Sequence, residues 1–211
     1  MPLFFQQQIN ESTRLGVWKI EESEDFFRGN VPVHRDVTHP KKRLQHLAGR
    51  FLLQYLYPDF PYSLIRIADT RKPFLPDERY HFSISHCGDF AATLVSRDKQ
   101  VGVDVERVSE KIFSIKDKFL TPDEQSLFIP NQAIPDLQAL TTAWSAKEAV
   151  FKWYGKGQVD FRKHIKLQQW NKPAENITGL LTLTGAPFLI HYRIFDHLVL
   201  AWVSGNDTLN T

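Results

Sequence analysis

Leu15, Val17 and Ile20 recur among polar neighbours, after the turn residues Asn10-Glu11-Ser12. That alternation predicts two strands within the first twenty residues. A short acidic helix is expected over 21–27, closed by Gly29. Thr38-His39-Pro40 reads as a helix start, because proline suits the first helical turn. Beyond it Leu44, Leu47, Ala48, Phe51, Leu52 and Tyr55 recur at steps of three and four, the spacing of one apolar helical face, and Pro58 ends the run. Strands are predicted at 82–85 and 90–96 around the tight Cys87-Gly88-Asp89, and again at 101–105. Thr121-Pro122-Asp123-Glu124 matches a capping box with proline at the first helical position. A longer helix is predicted over 137–154, stopped by Gly155 and Gly157. The remainder alternates like strands at 165–170, 180–183, 188–195 and 198–203, the last two forming a hairpin. The polar Arg97-Asp98-Lys99-Gln100 divides the chain into units of 1–98 and 99–211. Each half then holds a long helix and several strands, and the class is α+β. No repeat is visible in the residues themselves, so a duplicated architecture is suggested by element order alone.

Composition narrows the classes. The chain has 211 residues, long enough to bury a core, and 42% hydrophobic with 13% aromatic residues argues against disorder. Twenty-six Lys and Arg against 24 Asp and Glu leave a net charge of +2, too small for a non-specific nucleic-acid binder. Any anion site must come from local clustering. The single cysteine, Cys87, excludes an intramolecular disulfide and fits a reducing compartment. The N-terminal residues place no basic region ahead of a long apolar one, so no signal peptide is expected. No apolar run approaches ~18 residues, so no membrane-spanning helix is expected either, and a cytoplasmic location follows.

Four segments carry candidate chemistry. In Val101-Gly102-Val103-Asp104-Val105-Glu106, strand alternation puts the valines on one face and Gly102, Asp104 and Glu106 on the other. Two neighbouring carboxylates repel each other unless a cation lies between them, and hard oxygen ligands favour magnesium. A solvated acidic face is the plain alternative. In Trp144-Ser145-Ala146-Lys147-Glu148-Ala149-Val150-Phe151-Lys152, helical spacing puts Trp144, Glu148 and Lys152 on one stripe with Lys147 beside it. That stripe suits a metal-bound diphosphate, or else it is a surface Glu–Lys pair. In Phe82-Ser83-Ile84-Ser85-His86-Cys87-Gly88-Asp89, a hydroxyl, an imidazole and turn N–H groups are available to a phosphate, or the histidine is simply solvated. A Ser–His nucleophile pair is disfavoured, because adjacent strand residues face opposite ways. Last, Lys41-Lys42-Arg43 and Arg50 lie on the polar side of the first long helix with His46, and Arg71-Lys72-Pro73 adds charge in a loop. Arginine suits bidentate phosphate contact, and a solvated face is the alternative.

Together these segments resemble the two-domain, surfactin-type phosphopantetheinyl transferases. That family carries a G-(V/I)-D-x-E strand followed by a W-x-x-K-E-A-x-x-K helix, present here as Gly102 to Glu106 and Trp144 to Lys152. An upstream K-P and a serine–histidine turn match Lys72-Pro73 and Ser85-His86. The resemblance spans roughly residues 40–155. Cys87 replaces a common serine, and Arg71 stands where the family usually has glycine. The basic pair often found before the first long helix has only Arg28 and Arg35 as candidates.

The resemblance implies two similar α+β subdomains, pseudo-two-fold related, with coenzyme A in the cleft between them. Asp104, Glu106 and Glu148 would be ligands to Mg2+. Lys147 and Lys152 would face the diphosphate. Ser85 and His86 would contact coenzyme A phosphates, with Arg43, Arg50, Lys72 and Pro73 completing the pocket. The implied reaction is attack by a serine of an apo acyl or peptidyl carrier protein on the β-phosphate, releasing adenosine 3′,5′-bisphosphate. Glu148 would be the base and Lys152 would stabilise developing charge. A monomer is expected, because one chain supplies both halves. The competing reading is a non-catalytic coenzyme A or nucleotide-binding module on the same fold, and a metal-dependent phosphohydrolase is a third.

Overall fold

The computed structural model describes residues 2–32, 37–131 and 136–205. Strands β1 (Leu3–Gln8) and β2 (Thr13–Lys19) form a hairpin, followed by helices α1 (Glu24–Arg28) and α2 (Pro40–Leu56). A very short hairpin, β3 (Arg66–Ile67) and β4 (Pro73–Phe74), leads to β5 (His81–Cys87) and β6 (Phe90–Ser96). The first sheet has the order β1-β2-β6-β5, antiparallel throughout. After the polar link come β7 (Val101–Arg107), α3 (Lys111–Phe119), α4 (Pro122–Phe128), α5 (Leu137–Tyr154) and α6 (Phe161–His164). Strands β8 (Ile165–Asn171), β9 (Asn176–Leu181), β10 (Ala186–Phe195) and β11 (Leu198–Ser204) complete a second antiparallel sheet, ordered β7-β11-β10-β9-β8. The α+β class is as read from the sequence.

Strand alternation builds four layers. Leu15 and Val17 of β2 and Ala92 and Leu94 of β6 pack in one cluster with Val101, Val103 and Val105 of β7 and Leu200 and Trp202 of β11. The two sheets therefore share a core. The other face of the first sheet receives α2, through Leu47, Ala48, Leu52, Leu53 and Leu56. The other face of the second receives α5, through Leu140, Ala143, Ala146, Ala149 and Val150. Small side chains let α5 lie close to β7. At Gly102 a Cβ would collide with the Ala149 carbonyl oxygen, so glycine sets that approach.

The sheets also meet edge to edge. Ser83 Oγ accepts the Val103 N–H at 3.0 Å, Cys87 Sγ accepts the Arg107 N–H at 3.3 Å, and Ser85 Oγ donates to Asp104 at 2.8 Å. Small polar side chains of β5 thus satisfy the open edge of β7 without a backbone ladder.

The helix predicted over 137–154 has those bounds, with Asp136 as N-cap and Gly155 as C-cap at φ 67°. The Thr121–Glu124 capping box forms. One strand differs: β9 runs from Asn176 to Leu181 rather than over 180–183. Its inward positions are Ile177, Gly179 and Leu181, and the glycine hides the apolar alternation. Leu183 falls in the turn that follows.

Candidate active site

Asp104 is only 2% exposed. A carboxylate so buried requires partners, and it has three. Ser85 Oγ (2.8 Å) and Lys152 Nζ (2.7 Å) donate to Oδ1, and Ser145 Oγ (2.7 Å) donates to Oδ2. Lys152 Nζ also donates to Ser85 Oγ at 2.8 Å. One strand from each sheet and one helix thus converge: β5 brings Ser85, β7 brings Asp104, and α5 brings Ser145 and Lys152.

Glu148 lies one helical turn before Lys152. Its carboxyl is pushed up to about 7, by burial first and then by the charge of Asp104, with Glu106 adding and Lys152 opposing. Glu106 is also held above the ordinary carboxylate range, by burial and then by Asp104. The neighbouring Cys87 thiol and Trp144 indole oppose that rise. Burial pushes the Cys87 thiol to about 11. Among the described residues, the Lys152 ammonium is the cation that acts on Asp104, Glu106 and Glu148 together.

The expected convergence of Asp104, Glu106 and Glu148 on one point is not found. Among the described residues no group of three His, Cys, Asp or Glu side chains is arranged to hold a metal ion. Asp104 is drawn to Lys152 and two serines. The donor set still fits magnesium chemically. All three groups offer hard oxygens, and Glu106 and Glu148 are raised by burial first and then by the Asp104 charge, both of which a divalent cation offsets.

Other site expectations need correcting. Lys147 does not face the cleft. It is 0% exposed, and its ammonium donates to Glu124 Oε1 and to the carbonyls of Phe119, Phe161 and Ile165, all within 2.7–2.9 Å. The motif lysine therefore ties together the ends of α3 and α6, helix α4 and the start of β8. Ser85 is buried, and its hydroxyl is engaged with Asp104 and Lys152 rather than presented to a ligand. Arg43 binds Glu24 at 2.7 Å and the Val37 carbonyl at 2.8 Å, linking α1 to α2. Arg28 binds the same Glu24, whose carboxyl the two guanidiniums hold down at about 2. Arg35 lies outside the described residues. Lys72 donates to the Lys152 carbonyl at 2.7 Å and the Trp153 carbonyl at 3.4 Å.

Two arrangements remain open to a ligand. His86 sits exposed at the end of β5, its imidazole held below the ordinary value by surrounding protein and then by Lys152. Arg50 is 4% exposed, and its Nη1 is buried with no hydrogen-bond partner among the described residues. A guanidinium edge in that state carries a desolvation cost that an anion would relieve. Between the halves lies a cavity of about 210 Å³ bordered by Thr70, Arg71, Pro73, Ile84, Phe151 and Lys152.

The sequence reading missed Ser145, which shares Asp104 with Lys152. It also missed Glu124, whose place in a capping box was visible but whose second oxygen serving Lys147 was not. The motif spacing held no signal for either contact.

A family model described as the 4′-phosphopantetheinyl transferase superfamily matches residues 100–204. Enterobactin synthase component D of Escherichia coli K12 is 31% identical over 183 residues, which covers 81% of this chain and 82% of that protein. A putative 4′-phosphopantetheinyl transferase of Haemophilus influenzae is 30% identical, covering 62% and 58%. The 4′-phosphopantetheinyl transferase gsp of Aneurinibacillus migulanus is 30% identical, covering 53% and 46%.

Proposed function

The chain belongs to the 4′-phosphopantetheinyl transferase superfamily, and from that membership we propose how this site carries out the transfer. The protein is an enzyme that moves the 4′-phosphopantetheine group of coenzyme A onto a serine of an apo carrier protein. The serine oxygen forms a bond to the β-phosphorus. The bond from that phosphorus to the bridging oxygen breaks, and adenosine 3′,5′-bisphosphate leaves.

The observation that carries the assignment is the meeting of Asp104, Glu148 and Lys152 at the β7–α5 contact, beside the cavity that Lys152 borders. Glu148 accepts the serine proton. Its carboxyl stands on α5 one turn before Lys152, in reach of the same diphosphate, and a weak nucleophile such as a serine hydroxyl needs a proton acceptor so placed. Lys152 stabilises the charge that grows on the departing phosphate. Asp104, Glu106 and Glu148 would hold magnesium, which when bound supplies positive charge against the diphosphate. His86 and Arg50 are assigned to coenzyme A phosphates, and Pro73 to the pocket wall. Phosphoryl transfer rests on positioning and electrostatics, so no covalent protein intermediate is needed.

The finer assignments belong to the same proposal. The chain is a surfactin-type member of two subdomains, 1–98 and 99–211, acting as a cytoplasmic monomer. No helix among the described residues is long and apolar enough to cross a membrane. The test is incubation with coenzyme A, magnesium and a panel of apo acyl and peptidyl carrier proteins. Intact mass spectrometry should show one phosphopantetheine added to at least one carrier. A panel left wholly unmodified by folded protein would refute the reading.

A further inference from the structure

We propose that Lys72 is a positioning residue: its ammonium clamps the C-terminal end of α5 and so fixes where Lys152 stands, rather than holding coenzyme A. The inference rests on the transferase reading of the site.

Lys72 closes the loop between the two-residue strands β3 and β4. The Ala68 N–H donates to the Lys72 carbonyl at 3.0 Å, and the Arg71 N–H donates to the Ala68 carbonyl at 2.8 Å. Arg71 takes a left-handed φ of 66° to make that turn. From this loop the Lys72 side chain crosses to the other half of the molecule and meets the last turn of α5.

The carbonyls of a final helical turn lack partners within the helix. Here each contact falls on that turn or its cap. Phe151 O accepts the Gly155 N–H at 3.0 Å. Lys152 O and Trp153 O accept Lys72 Nζ at 2.7 and 3.4 Å. Gly155 O accepts Thr70 Oγ1 at 3.1 Å. An ammonium at this end also meets the negative pole of the helix dipole. Gly155 makes room for the contact, because a Cβ there would stand 2.7 Å from Lys72 Cδ.

Two of the three donors on Lys72 are therefore committed to helix carbonyls. Burial lowers the ammonium to about 8, a desolvation cost that a freely solvated, ligand-seeking lysine does not bear. Lys72 is also a partition. Together with Pro73, Phe82 and Gly155 it borders both the 210 Å³ cavity beside Lys152 and a second cavity of about 370 Å³ lined by Tyr80, His81 and Tyr154.

Lys152 is the third residue from the end of α5, and its side chain must reach Asp104 and Ser85. Helix ends fray unless held. The clamp on the Lys152 carbonyl thus fixes the backbone from which the charge-stabilising ammonium extends. It joins the loop of the first half to the helix of the second at the residue that acts.

The test uses the full chain. Lys72→Met keeps the aliphatic stem and removes the ammonium. Steady-state kinetics with coenzyme A, magnesium and an apo-carrier are paired with hydrogen–deuterium exchange over the end of α5 in substrate-free protein. Expected are faster exchange in that turn, a kcat lower by ~10–100-fold, and a KM for coenzyme A changed by less than ~3-fold. In a Lys152→Ala background the same change should cost little more, because the clamp acts through Lys152. A raised KM with intact kcat and unchanged exchange would overturn the proposal in favour of direct coenzyme A contact. Faster exchange with wild-type kcat would reduce Lys72 to a stability role and overturn it as well. If Lys72→Met does not fold, Thr70→Val decides: faster exchange with lower kcat supports the clamp, and unchanged kcat refutes it. Wild-type protein that modifies no carrier overturns the transferase reading and this inference with it. An active wild type beside a fully active Lys72→Met overturns this inference alone.

Discussion

The Lys152 ammonium touches Asp104 and Ser85 and acts on Glu106 and Glu148 through space. Without a metal it is the cation of a site with three carboxylates. Lysine suits this place because a compact ammonium on a flexible stem can leave one partner for another, whereas a planar guanidinium is held by its fork. Its two duties lead to opposite effects on removal. Lys152→Ala should lower kcat by about a hundredfold, since loss of one such contact costs on the order of 3 kcal/mol at the transition state. The same variant should bind magnesium more tightly in the absence of coenzyme A, on the order of tenfold, because no ammonium competes for Asp104. Lys152→Arg should recover only part of the rate. Isothermal titration with magnesium and steady-state kinetics check the two effects separately. An unchanged kcat would leave Lys152 as a structural partner of Asp104 and nothing more.

At the level of elements, the helix to which the chemistry is assigned also carries the lysine that anchors it. Lys147 and Lys152 come from one motif and face opposite environments. Lys147 points into the core, where Glu124 and three backbone carbonyls accept from its ammonium, while the other Glu124 oxygen caps α4 through the Thr121 N–H. Removing one partner of such a buried pair strands the other, so Lys147→Met should cost about 3–5 kcal/mol of stability. Urea unfolding measures that loss. The KM for coenzyme A of the protein that remains folded should be unchanged, and a selective rise in KM would restore Lys147 to the binding site. The difference between the two lysines explains what the sequence could reveal. The sequence pattern located α5 with its Gly155 stop and the valine face of β7, because burial of one face repeats along the chain at a fixed spacing. The motif spacing likewise put Glu148 and Lys152 on one stripe. It could not assign Lys147, since a residue next to the stripe turns inward or outward according to what packs there. Here that is α4 and β8, distant in sequence. The Lys72 contact with α5 and the Ser145 contact with Asp104 were hidden for the same reason. Gly179 concealed β9 by a different route, standing where an apolar side chain would have marked the inward face.

The whole molecule is two sheets that cannot come apart cheaply. Val101, Val103 and Val105 of the second sheet are buried against Leu15, Val17, Ala92 and Leu94 of the first, and Leu200 and Trp202 close the same cluster. The β5 edge supplies Ser83 and Cys87 to the N–H groups of Val103 and Arg107. Opening the sheets would expose that apolar face and leave those N–H groups without their protein partners, and it would dismantle the Asp104–Ser85–Lys152 contact at the same stroke. The Asp104–Ser85–Lys152 contact is therefore made by the docking of the two sheets. Such shared burial predicts one cooperative transition despite the chain's division into two sheets. Pulse-labelled hydrogen exchange along a urea series should give the same midpoint for peptides from 3–96 and from 101–204. Ser83→Ala should move both midpoints together, because the Val103 N–H is left buried without an acceptor at a cost of about 1–3 kcal/mol. If peptides of the first sheet open at lower urea than those of the second, the shared core does not couple the halves. Folding would then proceed by separate units, and the site would be lost before either unit unfolds.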